Sequence, residues 1–133
     1  MASLEQLKML INLARVDGMV ADKERQFIIN IGQANHLLVA EILPLFSNSN
    51  TAVIPSNLTN EQKFDYILTL IKLMKIDEKI YRDEIVFCSK VASALGYRQE
   101  VLFELMLKVK NTEMEADELE ALKKLTATYL LHG

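Results

Sequence analysis

Four carboxylates are the residues here whose type and spacing could do chemistry. Asp17 and Glu24 stand seven apart in "VDGMVADKE", and Asp77 and Glu84 stand seven apart in "IDEKIYRDE". Each aspartate follows an apolar run with helical spacing, so it falls where a helix is expected to end. The negative end of the helix dipole opposes a carboxylate there by about 0.3–1 kcal/mol. Each glutamate enters from the start of the next helix, and a hairpin would bring it back toward its aspartate. Two nearby carboxylates repel unless a cation, a basic side chain or a proton intervenes. An all-oxygen donor set suits a hard divalent ion, Ca²⁺ or Mg²⁺. The bland alternative is that Asp17 caps a turn and that Asp22 and Glu24 complement the following helix dipole.

An EF-hand does not fit. With Asp17, Gly18 and Glu24 in its fifth, sixth and twelfth places, the first and third ligands would be Leu13 and Arg15. The second copy puts Leu73 and Lys75 there and Glu78 in place of the glycine. A usable cation site would have to draw on both turns or on a partner.

The elements that must position these acids repeat. Shifted by 60 positions, "LINLARVDGMVADKERQFIINIGQA" (10–34) partly overlays "LIKLMKIDEKIYRDEIVFCSKVASA" (70–94). Leu10, Ile11, Leu13, Asp17, Glu24, Phe27 and Ala34 match Leu70, Ile71, Leu73, Asp77, Glu84, Phe87 and Ala94. Each half opens on a capping box, Ser3 with Gln6 and Thr59 with Gln62. A second amphipathic helix follows each turn, with Phe27, Ile28, Ile31 and Ala34 on one face and Phe87, Cys88, Val91, Ala92 and Leu95 on the other. Gly96 is a helix stop. A third helix covers about 38–46, disturbed by Pro44, and its counterpart carries Val101, Leu102, Leu105 and Val109. Residues 47–58 read as the loop between halves. A last helix is expected to open at Thr112 with Glu115 and to bury Leu119, Leu122, Leu125 and Tyr129. The expectation is one all-α domain over 1–133: a bundle of about seven helices built from two similar halves (4–46 and 60–110) plus a final helix at 113–131.

Composition agrees. Half of the 133 residues are apolar and a quarter charged, with four glycines and two prolines. The net charge of −3, and basic residues spread along the chain, argue against nucleic acid. The longest apolar stretch, "LLVAEILPLF", is too short to span a bilayer, so no direct membrane insertion is expected. The first residues do not read as a signal peptide, and a lone Cys88 suits a reducing compartment. The expected location is cytoplasmic.

Catalysis finds little support. His36 sits at a helix end, where a capping or cationic role is favoured, and His132 adjoins the last residue. Cys88 lies on an apolar face and reads as an inert core thiol. No nucleophile motif or phosphate-binding glycine loop is present. Mg²⁺ held by the paired acids, with Arg15, Lys75, Lys79 or Arg82 as a clamp, would make a metal-dependent phosphohydrolase. The same basic residues could simply form surface ion pairs. Met19 and Tyr81, in or beside the turns, are candidate contacts for a partner.

An apolar helix ending in "VDGMVADKE", an amphipathic helix after it, and a weaker second copy resemble the TerB-like tellurite-resistance family. The same domain type stands at the N-terminus of membrane-anchored DnaJ-like co-chaperones. The resemblance spans about residues 4–130. It implies a helical bundle of about seven helices and a cytosolic, non-enzymatic module that docks other proteins, some of them membrane-associated, in stress and tellurite responses. It also implies a divalent-metal role for the acidic residues. Asp17, Gly18 and Glu24 match the motif directly, and Asp77 and Glu84 match it through the second copy.

Overall fold

A computed structural model describes residues 4–15, 20–47, 58–76, 82–109 and 114–130. Among them are seven α-helices and no strand: α1 (Leu4–Ala14), α2 (Asp22–Ala34), α3 (Val39–Ser47), α4 (Asn60–Met74), α5 (Arg82–Ala94), α6 (Glu100–Lys108) and α7 (Ala116–Ala127). None is long and apolar enough to cross a membrane.

Two helices form the centre. Seven of the eleven residues of α1 are buried, and nine of the fifteen of α4. That exceeds the single stripe of an ordinary amphipathic helix, so both must be covered on several sides. They are: α1 packs against α2, α3, α4 and α5, and α4 against α1, α5, α6 and α7. Leu7, Leu10, Ile11, Leu13, Ile67, Leu70, Ile71, Leu73 and Met74 make the heart of the core at 0–1% exposure. Across the seam the Nε2 of Gln6 donates to Asp65 Oδ2 at 3.2 Å, so this amide joins α1 to α4. Ser3, its expected capping partner, lies outside the described residues.

Within each half, first, second and third helices all touch one another: α1–α2–α3 and α4–α5–α6. The arrangement is not fully symmetric. Helix α1 also packs on α5, whereas α2 and α4 are not a closely packed pair. Helix α7 covers α4 and α6 and, among the described residues, has no counterpart on the first half.

The helix ends follow from local chemistry. Thr59 and Gln62 cap α4 reciprocally, with Gln62 N–H donating to Thr59 Oγ1 at 3.2 Å and Thr59 N–H to Gln62 Oε1 at 2.8 Å. Such a cap contributes about 1 kcal/mol. Gly96, at φ +92°, ends α5; Tyr97 N–H donates to Ala92 O and Gly96 N–H to Ser93 O, the double return bond of a Schellman motif. Helix α2 ends the same way, but with His36 in the left-handed position at φ 68°. There Leu37 N–H donates to Gly32 O and His36 N–H to Gln33 O.

Helix α3 lies close to the expected 38–46, with Pro44 inside it. Pro44 and Ala40, whose carbonyl the missing N–H would have served, are both exposed, so water can take that role. Helix α7 starts at Ala116 rather than near Thr112, with Glu115 as its cap and Glu115 N–H facing Glu118 Oε1 at 3.5 Å. Thr112 and the loop 48–57 lie outside the described residues.

Candidate functional site

Glu24 and Glu84 both stand at the third position of their helices, α2 and α5. Both are buried, at 5% and 4% exposure. Carboxylates are rarely so buried without a partner. The burial follows from helical register. Glu24, Ile28 and Gly32 lie four apart and form the buried line of α2; Glu84, Cys88 and Ala92 form that of α5. Each glutamate thus occupies the turn-facing end of an inward stripe. Of the expected stripe of Phe27, Ile28, Ile31 and Ala34, only Ile28 belongs to this buried line. Phe27 and Ile31 are only half-buried and Ala34 is exposed.

Glu24 also caps its helix. Ala21 N–H donates to Glu24 Oε1 at 3.2 Å, which places the carboxylate at the positive end of the α2 dipole. This is the capping role weighed above. Asp17, Asp77, Gly18, Glu78, Met19 and Tyr81 lie outside the described residues. The proximity of each aspartate to its glutamate therefore lies outside them too. Among the described residues, no three His, Cys, Asp or Glu side chains gather as a metal-binding group.

The basic residues at the ends of α1 and α4 hold the ends of neighbouring helices. The Arg15 guanidinium donates to the carbonyls of Leu45, at 3.3 Å, and Phe46 at the end of α3. Lys75, 60 positions on, donates to the carbonyls of Met106 and Val109 at the end of α6. Each cation meets the negative end of the third helix of its own half. Arg25 sits over the Phe46 ring, 5.1 Å from its centroid. Arg82 is exposed, and Lys79 lies outside the described residues.

Cys88 is fully buried one turn after Glu84. Burial, and then the Glu84 charge, push its thiol up to about 12. A thiol held protonated is a poor nucleophile, as expected of a core cysteine. Burial likewise pushes the Tyr97 phenol up to about 12. On the surface, Lys123 of α7 pairs with Glu61 of α4. The Lys123 hydrogen bond and charge hold the Glu61 carboxyl below its usual value.

An open cavity of about 290 Å³ lies between the end of α6 and α7, lined by Lys108, Met114, Glu118, Ala121, Leu122 and Leu125. Neither Glu24 nor Glu84 lines it. Its lone lysine and lone glutamate do not make a catalytic constellation.

Large apolar side chains are exposed chiefly on the third helices. Leu38, Val39 and Leu43 project at the first, Phe103 and Leu107 at the second, at exposures of 37–73%; Val86 on α5 is the sixth. Composition does not distinguish them from the buried apolar residues of the same helices, such as Ile42, Leu102 and Leu105. Comparison with protein-family models, with curated proteins and with solved structures returns no match.

Proposed function

We propose that this chain is a non-enzymatic protein-docking module of TerB-like type, with a divalent-cation site for Ca²⁺ or Mg²⁺ at its turn carboxylates. The observation that carries the docking role is the placing of Leu38, Val39, Leu43, Phe103 and Leu107 in solvent on or beside the third helices. Exposed apolar side chains grouped on particular elements mark interaction surfaces more often than scattered ones do. The cation role draws support from Glu24 and Glu84, buried at equivalent places beside the turns that hold Asp17 and Asp77. Tellurite or stress responses, a cytoplasmic location and membrane-associated partners belong to the same proposal through the family resemblance.

A second reading is favoured by the Ala21–Glu24 bond: the acids cap helices and bind no metal. Calorimetric titration with Ca²⁺ and Mg²⁺ separates the two. The cation reading expects saturable binding that Glu24→Gln and Glu84→Gln each weaken about tenfold or more, a loss of roughly 1.4 kcal/mol. Heats no larger than dilution would remove it. The docking reading is tested by photo-crosslinking from position 43 or 103 in cells. The same crosslinked partner should disappear when Val39→Ser is introduced beside the probe at 43, or Leu107→Ser beside the probe at 103.

A further inference from the structure

We infer that α3 is a hinged flap, held shut by Arg15, that opens while the rest of the bundle stays folded. Only one of its nine residues, Ile42, is buried, against seven in α1, nine in α4 and three in its counterpart α6. An element with so few buried apolar contacts has little to lose when it detaches. Pro44 removes one hydrogen bond from within the helix. Val39 and Leu43 are already more than a third exposed, so moving the helix uncovers less apolar surface than a buried pair would.

What holds α3 is a few contacts at its middle and end: Ile42, the half-buried Leu45 and Phe46, and two arginines. Arg15 grips the Leu45 and Phe46 carbonyls, and Arg25 lies over the Phe46 ring. Ile42 plugs into a socket between α1 and α2. Its δ-methyl lies 2.5 Å from where a Cβ on Gly32 would stand, with the Leu7 δ-methyl 3.1 Å from the same point. The turn before α3 holds His36 at φ 68° and supplies the hinge. Helix α6 has the same kind of clamp in Lys75, but Val101, Leu102, Leu105 and Val109 anchor it and α7 packs over it. Of the two clamped helices, the flap is therefore α3 and not α6. Opening releases Ile42 and empties the socket beside Leu7.

Hydrogen exchange on the full chain, read by mass spectrometry through rising sub-denaturing urea, tests this. Amides of residues 42–47 should exchange together, about tenfold or more faster than those of α1 and α4, and with little urea dependence. Arg15→Met should speed α3 about tenfold further and leave α4 to α6 unchanged, while Lys75→Met should change α6 less than about threefold. Protection of α3 equal to that of α1 and α4 in the unmodified chain would overturn the flap, whether or not the variants fold. So would an Arg15→Met effect spread over every helix.

Discussion

At the scale of single residues, the two halves solve one problem with different chemistry. The chain leaves α5 through Gly96 and α2 through His36, both in left-handed geometry. Glycine takes that conformation freely, whereas a side chain is strained by about 1 kcal/mol. His36 is exposed and its N–H already serves Gln33 O, so the backbone needs nothing from the imidazole. His36→Gly should therefore raise stability by about 0.5–1 kcal/mol, measured as a higher urea midpoint with unchanged slope. Cys88 gives a prediction in pH. Its thiol is raised in the folded state from 9.0 to about 12. The unfolded chain thus loses this proton first, and the contribution is whole below pH 9 and falls away toward pH 12. Chemical denaturation from pH 8 to 11 should show a decline that is shallower in Cys88→Ala, and a thiol reagent should label Cys88 only on unfolding.

Helical periodicity made the elements legible before the site was. Apolar stripes at three- and four-residue spacing locate all seven helices, and Thr59–Gln62 and Gly96 mark ends because their signals are local. Pro44 is tolerated inside α3 because the hydrogen bond it removes lies on an exposed face, where the loss is cheap. Glu24 and Glu84 are found as candidates from spacing alone, yet their burial is not foreseen. Charge suggests exposure, and only the register with Ile28 and Cys88 shows that they complete an inward line. The roles of Arg15 and Lys75 are hidden for another reason. Each reaches carbonyls about thirty positions away, and no local pattern encodes such a contact.

Across the whole molecule, neither half is self-sufficient. The inner faces of α1 and α4 are covered by each other, and α1 is covered further by α5. Dividing the chain in the 48–57 loop would strip α1 of two of its four neighbours. Residues 1–52 alone should then lack a cooperative thermal transition by circular dichroism, and mixing with 53–133 should restore helicity in equal stoichiometry. A first fragment that melts cooperatively by itself would show that its three helices close a core unaided.

The joint between α5 and α6 is fastened from far along the chain: Arg98 N–H donates to Tyr129 O at 2.7 Å, and Tyr97 bridges Leu130. Protein synthesis delivers residues in order, so this corner waits for its last two fasteners until all seven helices have been made. The nascent chain can assemble its central helices before that corner is locked.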